Sequence, residues 1–459
     1  MKIKTISRTQ EDYVRQSKLD ITKVHHNRDP TLHPFERARE YSKAVVASKL
    51  DKIFAKPFVG ALQGHMDSVY CTSTVRNSVV SFISGACDGE IKVWDLSKKE
   101  TVWSANAHQG FVRGISPDQT GNSFFTCGDD KLIKKWVLAG SDTGTAGPLA
   151  STSSSLSSAN MEPVKTFTAP HLLTSIDHHR VDNQFATSGD TVCIWNSDRN
   201  EPLHSYKWGS DTVTSVSFNP AETALLGSTC ADRMVCLYDL RTASPIRKFA
   251  LSMRSNKLAW NPREPFNFVL ANEDANVYQF DMRKLDKALM IHKDHVSAVM
   301  DVAFSPTGRE FATGGYDRTL RLFNTNGPRS REVYHTKRMQ RIFSVNFSTD
   351  AKFVLTGSDD TNIRLWKAKA SESLGVNPGR QERKKQLNTA IQKRYSHMPE
   401  VKRISKHKLE PKYIKKAATI AHIQNDSQRK KQDNRKRHSS KDDGTLEPLR
   451  KRAVLREYE

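Results

Sequence analysis

The sequence predicts an all-β protein, a seven-bladed β-propeller with α-helical, basic extensions at both ends. Three observations carry that prediction. A short phrase of a small residue, a turn aspartate, an alternating run and a closing aromatic returns seven times, ending at Trp94, Trp136, Trp195, Tyr238, Phe280, Phe323 and Trp366. Successive closing aromatics lie 42, 59, 43, 42, 43 and 43 residues apart, five of them within the roughly 40–45-residue period of a four-stranded blade and the long one containing a Ser/Gly/Thr-rich stretch. An aspartate stands six positions before the aromatic in six copies, at Asp88, Asp130, Asp232, Asp274, Asp317 and Asp360. In the third copy Asp190 is one residue closer to Trp195, so a shortened turn is expected there.

Each part of the phrase has a local reason. Aspartate at a tight turn accepts backbone N–H bonds. The run Ile91-Lys92-Val93-Trp94 alternates as a strand with one buried face does. His65, Ser84, Asp88 and Trp94 stand where WD repeats place a hydrogen-bonded His–Ser–Asp–Trp network, and His108, Thr126, Asp130 and Trp136 repeat it. His295, Thr313 and Asp317 do so without an indole, because Phe323 has no N–H to donate. A catalytic-triad reading of these sets fails, since they recur at the blade period and an active site occurs once.

Three regions follow from composition: a basic N-terminal extension at 1–60, the propeller at 61–366 and a basic C-terminal region at 367–459. The net charge of +22 sits in the ends. Lys plus Arg outnumber Asp plus Glu by 13 to 7 in residues 1–60 and by 26 to 11 in 367–459, against 33 to 32 between them. A neutral propeller with basic ends points to an acidic polymer, most simply nucleic acid, or to a nuclear import receptor. The six cysteines form no Cys-x-x-Cys pair and no zinc spacing, so they read as reduced thiols in strands of an intracellular protein. No apolar run approaches a membrane span, and no cofactor or metal is expected. Glycine-rich nucleotide loops, a Walker loop and His-Glu-x-x-His are all missing, which argues against an enzyme.

In chain order, residues 1–30 read as extended or ordered only on a partner. From Pro34 to about Phe54, Phe35, Ala38, Tyr41, Val45, Leu50 and Ile53 approximate one helical face, with Pro34 suited to the first turn. That helix either packs on the propeller or serves as a docking arm. Blades then run from about Ala61 to Trp366, interrupted by a Ser-rich stretch at 140–159 that reads as a flexible loop. Copies four and five end Tyr238-Asp239-Leu240-Arg241 and Phe280-Asp281-Met282-Arg283. This tandem resembles the aromatic-Asp-x-Arg motif of WD-repeat substrate receptors that bind the adaptor of cullin–RING ubiquitin ligases. By that analogy Asp239, Arg241, Asp281 and Arg283 form an adaptor contact; otherwise each arginine braces an adjacent blade.

After Trp366, Leu387, Ile391 and Tyr395 recur every four residues beside Arg383, Lys384, Lys385, Lys393 and Arg394, and Pro399 stops that helix. Tyr413, Ile414, Ala417, Ile420 and Ile423 mark a second amphipathic helix. Beyond Asn425 a disordered tail is expected, with Arg429-Lys430-Lys431 and Arg435-Lys436-Arg437 as phosphate contacts or import signals.

The stretch from Arg383 to Tyr395, continuing through His397-Met398-Pro399-Glu400-Val401-Lys402-Arg403-Ile404, resembles the C-terminal domain of the Sof-one-like family, and residues 28–41 resemble its opening. The resemblance covers essentially the whole chain. It implies a nucleolar, non-catalytic scaffold of the small-subunit processome, acting beside the box C/D small nucleolar RNP on pre-rRNA toward 18S rRNA, as a monomer within a large assembly. It also implies, for vertebrate-type members, a substrate receptor of a cullin–RING ligase.

Overall fold

The computed structural model describes residue 31 and residues 34–138, 162–208, 211–242, 245–438 and 448–458. The readings of residues 1–30 as extended and of 140–159 as a flexible loop lie outside the described residues. Seven antiparallel sheets form the blades of a propeller. Blade 1 comprises Val69–Thr74, Ser81–Ala86, Glu90–Asp95 and Glu100–Asn106, and the next five blades follow the same plan in chain order.

The repeated phrase explains the blade. In five copies the turn aspartate accepts the backbone N–H two residues on: Asp88 from Glu90 (3.0 Å), Asp130 from Leu132 (3.1 Å), Asp232 from Met234 (3.0 Å), Asp274 from Asn276 (2.9 Å) and Asp317 from Thr319 (3.1 Å). The residue after the aspartate takes positive φ at Gly89, Lys131, Arg233, Ala275, Arg318 and Thr361, which closes the hairpin. Asp190 has no such neighbour, as a shortened turn requires. The small residue of the phrase faces the next blade. A Cβ on Gly85 would sit 2.7 Å from Val112 of blade 2, and one on Gly314 would sit 2.5 Å from Ile342 of blade 7. The closing aromatics then pack in cores shared by neighbouring sheets; Trp94 lies with Val69, Phe82, Leu355 and Leu365 across blades 1 and 7. Inner strands are stitched as well. Asp177 accepts the Phe218 N–H (2.8 Å), Asp301 accepts that of Val345 (2.7 Å), and Asn346 donates to the Thr72 carbonyl (2.6 Å).

The ring begins earlier than the first copy of the phrase. Phe58–Leu62 is the outer strand of blade 7, paired with Ile363–Lys367 so that Phe58 faces Trp366 and Leu62 faces Ile363. The start at Ala61 is thus corrected: a segment without the phrase closes the ring from the other end of the chain.

The C-terminal region divides between two compact units rather than forming one piece. Lys369–Lys408 joins the segment up to Pro57, and Leu409 onward belongs with the propeller. In the first unit, α1 (Glu36–Ile53) packs with α2 (Gly379–Arg394) and α3 (Pro399–Lys406) around Ala44, Ile391 and Val401. Glu40 accepts bonds from Arg394 (3.0 Å) and from the Tyr395 hydroxyl (2.9 Å). The face expected on α1 is corrected in part: Tyr41 and Val45 pack against this cluster, but Phe35, Ala38, Leu50 and Ile53 are exposed. Its fully buried residues are Ala44, Ala47 and Ser48, whereas Phe35 and Ile53 are each 72 % exposed. Small side chains let helices approach closely, so the buried stripe follows size rather than hydrophobicity. Pro34 lies before the Phe35 cap instead of in the first turn, and Pro399 opens α3 rather than stopping α2, which already ends at Arg394.

The propeller unit also holds α4 (Lys412–His438), α5 (Leu449–Arg452) and a final strand, Val454–Tyr458. The disordered tail expected beyond Asn425 is therefore corrected twice. The helix begun at Lys412 continues through the basic triplets, and the chain end pairs with blade 4.

Candidate functional site

Blade 2 shows what the His–Thr–Asp–Trp sets do. Asp130 can only accept, so His108 carries its proton on Nδ1 and donates to that carboxylate (2.9 Å). His108 Nε2 then accepts from the Thr126 hydroxyl (2.9 Å), which itself accepts the Trp136 indole N–H (3.0 Å). Burial holds the His108 imidazole below its ordinary pKa, with Asp130 opposing. All polar atoms are thereby spent on one another, leaving no nucleophile to activate. His295 repeats the pattern with Asp317 (2.8 Å) and Thr313 (2.6 Å).

Blade 1 departs from the expected set. Ser84 accepts from Trp94 (2.7 Å) and lies 2.7 Å from His65 Nε2, but the carboxylate near His65 Nδ1 is Glu90 at 3.4 Å, while Asp88 serves the turn. Burial, then Lys92, push the His65 pKa down to about 4. Thr126→Val keeps the shape at the centre of the blade 2 set and orphans both His108 Nε2 and the indole. It should lower the unfolding free energy by about 1–3 kcal/mol, measured by urea titration.

The two Asp-x-Arg segments close the third strands of adjacent blades, Met234–Asp239 and Asn276–Asp281. Third strands run in one direction around the ring, so both arginines emerge on the same face. Asp239 and Asp281 each accept the arginine's backbone N–H at 3.0 Å. Arg283 also forks onto its own Asp281, Nε at 3.1 Å and Nη2 at 3.0 Å, and stacks over Phe266 at 4.5 Å. Burial alone would raise the Asp281 carboxyl, but Arg283 holds it below the usual range. Arg283 thus braces its own blade yet keeps 63 % of its side chain exposed, and Arg241 on the adjacent blade is exposed as well.

The basic residues fall on three elements. On α2, Arg383, Lys384, Lys385, Lys393 and Arg394 are exposed, with Arg394 engaged by Glu40. On α4, Arg429, Lys430, Lys431, Arg435 and Arg437 are exposed, while the Lys436 side chain lies outside the described residues. Leu387, expected to be an anchor, is 57 % exposed, while Ile391 of that row is buried and Tyr395 packs against the same cluster.

The anchor of α4 is a group that the sequence reading missed. Arg321, wholly buried on the third strand of blade 6, meets Glu410 at 3.0 Å, Asp317 at 3.8 Å and Asp294 at 3.9 Å. The Tyr413 hydroxyl donates to the Asp317 carbonyl (2.9 Å), and Ile414 is buried. A signal existed. Lys92, Lys134, Arg321 and Arg364 all stand two residues before their closing aromatic, so each places a cation in a buried strand. Lys92 caps the Gly64 carbonyl (2.8 Å), Lys134 that of Ala107, and Arg364 pairs with Asp360 (3.0 Å), whereas Arg321 reaches into the C-terminal region.

Among the described residues no cluster of His, Cys, Asp or Glu could hold a metal, and no helix is long and apolar enough to cross a membrane.

Residues 368–454 match the Sof1-like domain, and residues 56–95, 99–143, 200–239, 286–324 and 331–367 match the WD domain, G-beta repeat. "DDB1- and CUL4-associated factor 13" of Mus musculus is 46 % identical over 455 residues, 99 % of each chain. The protein of that name from Xenopus laevis is 44 % identical over 455 residues, again 99 % of each. "Protein SOF1" of Saccharomyces cerevisiae is 44 % identical over 450 residues, covering 95 % of this chain and 91 % of the yeast protein.

Proposed function

The chain belongs to the Sof1-like family of WD-repeat proteins, and from that premise we propose that it is a non-catalytic scaffold of the nucleolar small-subunit processome. In this reading it serves pre-rRNA processing toward 18S rRNA, with processome proteins and the box C/D snoRNP on its blades. The observation that carries the reading is α4: a helix rooted in the propeller by Tyr413 and Ile414, with exposed cations toward its far end. Lysine and arginine there neutralise phosphates and release counterions, a largely sequence-independent mode of RNA contact. In-cell RNA crosslinking tests it, comparing the full chain with one in which Arg429, Lys430, Lys431, Arg435, Lys436 and Arg437 become glutamine, both carrying a nucleolar targeting signal. Crosslinks to pre-18S rRNA or its guide RNA that vanish with the charges support the scaffold; a full chain that yields no crosslinks sinks it.

A second reading rests on a different observation, the paired exposed Arg241 and Arg283 on one face. Relatives carry the name "DDB1- and CUL4-associated factor 13", which supports a substrate-receptor role in a cullin–RING ligase with DDB1 as the adaptor. Substituting both arginines by alanine should weaken binding of purified DDB1 by about 2–4 kcal/mol, as truncating central arginines does, while pre-rRNA crosslinks persist. Calorimetric titration reads the first effect. Loss of both interactions together would instead mean that the arginines only brace their blades.

A further inference from the structure

Blade 4 carries a fifth strand, and its contacts lead to the second Asp-x-Arg turn. Val454–Tyr458 pairs antiparallel with the outer strand Pro245–Leu251, Lys248 facing Tyr458, Phe249 facing Glu457 and Ala250 facing Arg456. An unpaired outer strand is a standing template for pairing, and this one is covered by the chain's own end.

The segment before that strand reaches blade 5. The Ala288 N–H donates to the Arg450 carbonyl on α5 (3.1 Å), and the Ser252 N–H donates to that of Ala453 (3.1 Å). Ala453 is buried in one cluster with Phe249, Leu251, Leu285 and Ala288, and Met282 and Val454 pack against it. Leu285 and Ala288 belong to the loop that leaves Arg283. A third link is polar. Arg247 on the outer strand of blade 4 donates to the Arg283 carbonyl (3.1 Å) and lies 3.5 Å from the Glu457 carboxylate. The Arg283 turn is therefore held on two sides. Asp281 and Phe266 fix its side chain. Arg247, Leu285 and Ala288 fix its backbone, and those three rest on the C-terminal segment. With that segment absent, the Ala288 N–H loses its acceptor, two buried apolar side chains face water and Arg247 loses its carboxylate.

We propose that Leu449–Tyr458 is a clip that holds the Arg283 turn in its adaptor-docking geometry. The inference rests on the ligase-receptor reading above. Seating of the clip and binding of the adaptor are then linked, and by reciprocity the bound adaptor strengthens the clip. Arg247 and the clip are positioning elements; Arg283 makes the contact.

The test compares the full chain, a chain ending at Glu447, and full-length Ala453→Glu, which places a charge in the shared apolar cluster. Amide exchange is measured through Met282–Leu289, and affinity for purified DDB1 is measured by calorimetry. Exchange in that loop should quicken about tenfold or more in both variants while inner-strand amides stay protected. DDB1 affinity should fall about tenfold, and a synthetic peptide of residues 448–458 should restore both in trans. Unchanged protection of the loop in both variants overturns the clip, as does lost protection with undiminished affinity. A full chain that fails to bind DDB1 overturns the ligase-receptor reading and the proposal with it, an outcome told apart from failure of the clip by the exchange data.

Discussion

Arg321→Ala should lower the unfolding free energy by about 3–5 kcal/mol, the cost of removing one partner from a buried ionic group. Arg321 is wholly buried and faces three carboxylates: Glu410 at 3.0 Å, Asp317 at 3.8 Å and Asp294 at 3.9 Å. Without the guanidinium, those acids confront one another in blade 6 with no cation from that position. Denaturant titration measures the loss, and a change below about 1 kcal/mol would mean that water already screens the cluster. Glu410→Gln keeps an acceptor for Arg321 and should cost far less, which separates the cation's role from that of the C-terminal region.

Arg321→Ala also gives a pH signature. Burial alone would raise the Asp317 carboxyl, but His295, Arg321 and the Thr319 hydroxyl together hold it below its ordinary value. A carboxyl depressed in the folded state stabilises the protein fully above its unfolded pKa, about 3.9, and that stabilisation fades as pH falls through the folded value. Arg321→Ala removes one of the groups that depress it. The stability gap between the native chain and the variant should thus be full near pH 7 and narrow below pH 4. A gap that widens on acidification would contradict the assignment of the charge cluster.

The blades were legible because each one rewrites the same local chemistry: a carboxylate that closes a turn, a small residue where the next sheet approaches, an aromatic that fills the gap between sheets. Even copies outside the matched WD segments, those ending at Trp195 and Phe280, announced themselves by that phrase. Most of what escaped lacks a local signature. Phe58–Leu62 completes blade 7 by pairing with a strand some 300 residues away, and nothing in five residues records a partner so distant. Val454–Tyr458 follows a long charged stretch, and its alternation is too short to outweigh that composition. On α1, large apolar residues drew the predicted face, of which Tyr41 and Val45 do pack inward, while the buried centre is Ala44 and Ala47, which carry little hydrophobic weight. The paired arginines were legible as a motif. That Arg283 stacks on Phe266 and leans on Arg247 depends on blade geometry, and while the position of Arg321 recurs from blade to blade, its partner Glu410 lies 89 positions away outside the repeats.

Replacing Arg429, Lys430, Lys431, Arg435, Lys436 and Arg437 with glutamine should weaken binding to single-stranded RNA on the order of 100-fold or more at 0.1 M salt. The helix spans 27 residues, about 40 Å at 1.5 Å per residue. Its root is fixed by Tyr413 and Ile414, but the two triplets lie in the last ten positions, where Arg429, Lys430, Lys431, Arg435 and Arg437 all face solvent. Cations near the far end of the helix can meet phosphate without disturbing a blade. Glutamine retains good helix propensity, so the helix survives the change, and stability should move by less than about 0.5 kcal/mol, as surface substitutions do. Counterion release supplies the quantitative check. Each phosphate neutralised on a single strand contributes roughly 0.7 to the slope of log affinity against log salt, so the slope should flatten by about 4 if all six engage. An unchanged slope would make the helix a solvated arm and move RNA contact to Arg383, Lys384 and Lys385 on α2. A flattened slope with intact folding would fix the far end of α4 as the element that follows the phosphate chain.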